Sequence, residues 1–315
     1  MEQGRRHLPH RCRLPAGLTL VLLAITCAHA RAADTATWRV TENRYFHAIS
    51  DASDSRVREL LTGLEKFRVF AQKFATVTIP PDAPRTNLII FNSILEFHHY
   101  TPDRMIASFI KHDKNNNGYI VMPATDRGLN ALHAIRHEYV HILMRYHRFR
   151  LPTWYREGLA EFLSTVKIEG RDVTVGIPPS DRNWFWYNRA GQKSYDKLVG
   201  SDEVPFKKSN NDIYMQYWLL ARYMLMDSNN ARLMNKYIAL YNSGMDSLKA
   251  FKLTFGESPT DLARDKIIRV RHFTALRFHY DFPGMDTHYS VSNASEEEIS
   301  RMHALLENLD RSHVR

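Results

Sequence analysis

The sequence predicts an α+β fold: a small mixed β-sheet in an N-terminal lobe that carries a histidine-bearing helix, followed by a mainly α-helical C-terminal lobe. Three observations predict it. Short apolar runs bounded by turn residues recur between Trp38 and Met122. Apolar residues at helical spacing dominate after residue 170. Between the two regions stands His137-Glu138-Tyr139-Val140-His141, whose histidines share a face only on a helix.

Residues 1–30 read as a secretory signal. Arg5, Arg6, Arg11 and Arg13 make a basic start, and Ala16 to Ala28 an apolar core too short to span a bilayer comfortably. Ala28-His29-Ala30 and Ala30-Arg31-Ala32 are both small-x-small cleavage sites. The general secretory route fits better than the twin-arginine route, because the residues after Arg5-Arg6 are not the hydrophobic continuation that signal needs. Cys27 is a candidate lipidation site, though Ala24-Ile25-Thr26 before it matches that signal poorly. The reading is therefore an exported protein, periplasmic or secreted, with no transmembrane span after cleavage.

The rest divides into a sheet lobe over 31–165, a helical lobe over 166–285 and a polar tail over 286–315. Trp38 to Thr41 and Tyr45 to Ser50 are strand material. Val57, Leu60, Leu61, Leu64, Phe67 and Phe70 place an amphipathic helix over 54–74. Pro80 to Pro84 is a loop, and Leu88-Ile89-Ile90-Phe91 a short buried strand. Ala107 to Ile110 and Tyr119 to Met122 are two strands joined through Asp113 to Gly118. That turn opens like a calcium loop, but Ala124 stands where a bidentate glutamate is needed, so an Asn-Gly hairpin is the better reading. Further helices are read over Tyr214 to Met226, Ala231 to Tyr241, Met245 to Phe255 (closed by Gly256), Asp261 to His272 and Glu296 to Leu309.

Composition narrows the function. With 44% hydrophobic and 24% charged residues the 315-residue chain is ordinary for a folded protein. Of its net charge of +9, +3 falls in the signal segment, and no Lys/Arg stripe with interleaved aromatics follows, so nucleic acid is not an expected partner. Cys12 and Cys27 are the only cysteines, which excludes both a disulfide framework and a cysteine metal site from the folded part. Nothing in the sequence sets an oligomeric state.

The pair His137 and His141, one turn apart with Glu138 after the first, is the pattern that holds catalytic zinc, with the glutamate free to take a proton from water. A third ligand is required. His147 has the spacing used by metzincins, but Met144 replaces the glycine at which that family's chain turns back. On a continuing helix His147 lies about 120° around from His141. The other candidate is Glu157.

Pro152-Thr153-Trp154-Tyr155-Arg156-Glu157-Gly158-Leu159-Ala160-Glu161 resembles the Trp-x-x-Glu-Gly-x-Ala-Glu signature of gluzincins, the clan of thermolysin and aminopeptidase N. The resemblance implies that Glu157 coordinates zinc from a second helix and that Glu161 binds the free Nδ1–H of a zinc histidine. It places the Tyr214 hydroxyl over the metal as an oxyanion donor, with Tyr217 as the alternative. It covers about residues 38–256 and fits best the small exported bacterial peptidase-MA-like proteins, implying a gluzincin-like architecture. His133 reads as a rim or core histidine, and Arg136 and Arg156 flank the motifs, where either could orient a substrate carboxylate or pair with Glu161.

The expectation is a zinc-dependent hydrolase, a metallopeptidase acting on peptide or protein substrates with Glu138 as general base. Aminopeptidases of the clan carry a Gly-x-Met-x-Asn amine anchor; this chain offers only Gly118 to Pro123, so endopeptidase action is preferred. Gly118 to Pro123 is also a candidate edge strand for pairing an extended peptide. Two alternatives stand beside this reading: a non-catalytic zinc-containing envelope binding or assembly module, and a zinc hydrolase of a non-peptide amide or ester.

Overall fold

Leu88 to Phe91 is apolar at every position because both faces of its strand are covered. Leu88 and Ile90 point into one core with Phe46, Ala48, Ile120 and Met122, while Ile89 and Phe91 point into another with Val40, Ile49 and Val121. The computed structural model describes residues 37–101, 108–113, 117–124, 131–179, 194–203, 211–268 and 273–307. The segment read as a secretory signal, with Cys27, lies outside them, as do Ala107, the tip of the Asp113 to Gly118 turn and the ends of the helices read to His272 and Leu309. Within them the fold is mixed α/β, and no helix is long and apolar enough to cross a membrane.

The main sheet has six strands: β1 (Arg39–Glu42), β2 (Phe46–Ser50), β3 (Thr86–Phe91), β4 (Phe109–His112), β5 (Gly118–Pro123) and β9 (Ser290–Asn293), in the order β4-β5-β3-β2-β1-β9. The centre is parallel, Ala48 opposite Leu88 and Leu88 opposite Ile120. The flanks are antiparallel hairpins, β1–β2 and β4–β5. The second hairpin closes through Asp113, whose Oδ1 accepts from the Asn117 amide at 2.8 Å. Because β5 lies between β4 and β3, the Gly118–Pro123 segment is not an edge strand, contrary to expectation; β4 is the edge.

One face of the sheet receives α1 (Asp54–Phe74) and α3 (Ala131–Met144). The opposite face is covered by α2 (Ile94–His99), through Phe97, and by α10 (Glu296–Glu307), through Met302 and Leu306. Strand β9 falls in the stretch read as a polar tail. Its sequence, Ser290-Val291-Ser292-Asn293, carries no alternating apolar signal. The segment leading into it is tied to α1 instead. Buried Arg68 donates twice to Glu65 at 2.7 Å and once to the Gly284 carbonyl at 2.9 Å, and Glu65 Oε1 accepts the Asp286 amide at 2.7 Å. Backbone pairing with β1 then completes the edge.

After residue 150 come α4 (Thr153–Ser164), the strands β6 (Lys167–Glu169) and β7 (Asp172–Val175), α5 (Tyr195–Val199), α6 (Asn211–Leu225), α7 (Ser228–Asn242), α8 (Ser247–Phe255) and α9 (Pro259–Leu262). Helix α9 runs on into one π-helical turn over Ala263–Ile267, so the helix read from Asp261 begins earlier and changes pitch. Gly256, at φ +77°, closes α8 with a left-handed cap. The largely helical reading of this region misses a three-stranded sheet in which β7 pairs with β6 and with β8 (Leu276–His279). Strands of three or four residues are too short to establish a period of two.

Candidate metal centre

Helices α3 and α4 cross beside the sheet, and α4 is held between α3 and α6. Small residues let it in. A β-carbon added to Gly158 would stand 2.9 Å from both Ala221 Cβ and the Tyr217 carbonyl oxygen, so only glycine permits this approach. The start of α4 is fixed by a buried hydrogen-bond chain. Trp154 Nε1 donates to the Tyr237 hydroxyl (2.7 Å), which donates to Ser247 Oγ (2.8 Å), which donates to the Val199 carbonyl (2.5 Å). Arg136 on α3 is buried and donates to the Val166 carbonyl at 2.5 Å, just beyond α4; burial lowers it to about 10. It therefore braces the two helices rather than facing a cleft.

The braced helices bring three of the predicted side chains together. His137 and His141 present their Nε2 atoms 3.1 Å apart, and Glu157 Oε2 lies 3.6 Å from each. A triangle with these sides has one point about 2.0 Å from all three corners, the bond length of zinc to imidazole nitrogen or carboxylate oxygen. Two neutral imidazoles and a carboxylate are also a suitable donor set, leaving a fourth direction free. Among the described residues this is the one group of three or more such side chains able to hold a metal ion. His147 is not in it: α3 ends at Met144, and His147 Nδ1 instead engages the backbone of Phe149.

Glu161, one turn after Glu157 on α4, has Oε1 3.1 Å from His137 Nδ1. That contact directs the Nδ1 proton to the carboxylate and leaves Nε2 for a cation. Burial alone would push His137 down, but its bonds to Glu157 and Glu161 outweigh burial and raise it to about 10. Burial likewise works to raise Glu157, yet the His141 charge and hydrogen bonds from both imidazoles hold it well below the usual carboxylate range. Without a cation, a protonated imidazole between the two carboxylates is therefore favoured.

Burial moves Glu138 the other way, above the ordinary carboxylate range, against the neighbouring imidazoles. A raised carboxyl beside a pair of nitrogen donors suits a group that takes and returns a proton. Tyr214 on α6 lies edge-on to His137, ring centroids 6.0 Å apart. Tyr217 is fully buried 6.1 Å from Tyr214, and burial, then Glu157, raises its hydroxyl strongly. Of the two tyrosines, Tyr214 is the more open. His133 is buried.

The sequence reading passes over Arg145, although its spacing of four from His141 marks the same helix face. Its Nη2 donates to His112 Nε2 at 2.7 Å, linking the end of α3 to edge strand β4. No protein-family model matches the chain, and no curated protein matches it.

Proposed function

We propose that this protein is an exported zinc-dependent hydrolase of gluzincin type, a metallopeptidase that cleaves peptide or protein chains internally. The observation that carries the reading is Glu157 Oε2, from α4, standing 3.6 Å from the Nε2 atoms of both α3 histidines. A carboxylate brought across a helix interface to an imidazole pair, with a glutamate beside them, has the chemistry of a hydrolytic centre rather than of a closed structural one.

His137, His141 and Glu157 would hold the ion. When bound, zinc supplies a Lewis acid that acidifies water toward a pKa of about 7 and polarises a carbonyl. Glu138 accepts a proton at its carboxylate during attack on the scissile carbonyl and returns it to the leaving amine. Burial raises its affinity for a proton, which favours the uptake step. Glu161 holds the His137 proton at Nδ1 and so keeps Nε2 a ligand. Tyr214, edge-on to His137, is the hydroxyl best placed to donate to the developing oxyanion.

The test is metal content and cleavage of a peptide library by the full chain, with and without chelator, beside Glu138→Gln. The expected outcome is about one zinc per chain in both proteins, chelator-sensitive cleavage by the wild type, and a loss of at least about 100-fold in Glu138→Gln. Zinc retained with no cleavage by the wild type would replace the hydrolase with a binding module. Wild-type turnover in Glu138→Gln would refute the mechanism.

A further inference from the structure

A basin of about 450 Å³ lies between the C-terminal end of α3 and the start of α4, the two helices that carry the metal-point residues. Arg145, His147, Arg150, Arg156, Asp202 and Tyr241 give it its polar character. Three arginines and a single carboxylate thus line it. Asp202 is engaged at the side, where its Oδ1 accepts from the Tyr241 hydroxyl at 3.3 Å. Among the described residues, Arg145 donates to the His112 ring, Arg150 stands over Tyr241 and Arg156 donates to Thr153 Oγ1. Among the described residues no carboxylate forms an ion pair with any of them. Elsewhere on this surface arginines do have carboxylates, as Arg85 has Glu42 and Arg277 has Asp172.

Position adds the second argument. His137 and His141 lie one turn apart on α3, and Arg145 comes four residues after His141, directly after the last residue of the helix. Arg156 precedes Glu157 directly, and Thr153 lies one turn before Glu157 on α4. The basin thus takes in Thr153, one turn from Glu157 on the same face of α4, together with the residues that follow α3. A chain lying across the metal point reaches it within a few residues at about 3.3 Å per residue.

We propose that this basin receives a carboxylate of the substrate, so that the site selects acidic peptides. Arg145, Arg150 and Arg156 are its specificity residues. Guanidinium groups match a carboxylate in two-point geometry, and a concave site screens such a pair less than open solvent does. The carboxylate is either a peptide's own C-terminus or an Asp or Glu side chain near the cleaved bond. The identity of the ligand as a substrate rests on the hydrolase reading; the binding chemistry does not.

The test is a binding screen on the full chain carrying Glu138→Gln, using ten-residue synthetic peptides made in four versions: Glu or Gln at each position, with a free or amidated C-terminus. Acidic versions are expected to bind about tenfold more tightly, with the advantage reduced at high salt and abolished in Arg156→Gln and in the Arg145→Gln/Arg150→Gln double variant. Arg148→Gln, outside the basin, should leave it unchanged, and thermal unfolding reports whether each variant is folded. The free-acid and Glu arms identify which carboxylate is held. Equal binding of acidic and neutral peptides, or a preference that survives the arginine substitutions, overturns the proposal. Acidic selectivity with no cleavage by the wild type would remove the hydrolase reading and leave the basin standing.

Discussion

Glu161 Oε1 lies 3.1 Å from His137 Nδ1, on the side of the imidazole opposite the Nε2 that faces Glu157. One histidine is thus held between two carboxylates from consecutive turns of α4. The inner carboxylate shares the metal point, and the outer one sets the tautomer and the basicity of the ring. Glu161→Gln keeps an acceptor but removes the charge. It is expected to weaken zinc binding about tenfold, measured by competition with a chromophoric chelator. Affinity within twofold of the wild type would assign Glu161 to packing alone.

The same arrangement gives the metal-free protein a pH signature. His137 is raised from 6.5 to about 10 in the fold, so its protonated form is favoured there over the unfolded chain. Its stabilising contribution is complete below pH 6.5 and is lost as pH rises through 10. Urea midpoints of the chelator-treated protein should therefore fall between those values more steeply than those of His137→Gln. Zinc takes the place of the proton, so the loaded protein should lack this slope. Parallel pH profiles for wild type and variant, both metal-free, would contradict the account.

Gly158→Ala probes the helix crossing that delivers Glu157. The new methyl group meets Ala221 Cβ and the Tyr217 carbonyl, each at 2.9 Å. A loss of about 1–3 kcal/mol is expected in chemical denaturation, together with weaker zinc binding as α4 shifts outward. Ala221→Gly should recover only part of it, because the Tyr217 carbonyl is backbone. Unchanged stability and zinc affinity would show that the crossing is looser than it looks.

The legible parts of this chain are those where one period runs long enough. Helix α1 is readable because Val57, Leu61, Leu64, Phe67 and Phe70 recur at helical spacing through the middle of its 21 residues. His137 and His141 were readable because helix geometry alone puts them on one face. Glu157 came from a pattern rather than from geometry, since nothing local says that α4 folds back across α3. Long-range packing decided the rest. β9 is polar, and the segment leading into it is held by Glu65 and Arg68, more than 200 positions away in sequence. β6 to β8 are too short to announce themselves. The basic basin needs the end of α3, the start of α4 and Tyr241 on α7 together, and no single segment contains all three.

The most direct measurement is a zinc-edge anomalous difference map from crystals of the metal-loaded protein. The expected result is one strong peak about 2.0–2.1 Å from His137 Nε2, His141 Nε2 and Glu157 Oε2. A peak bound by the histidines while the Glu157 carboxylate turns away into solvent, or no peak between the two helices, would contradict the central claim.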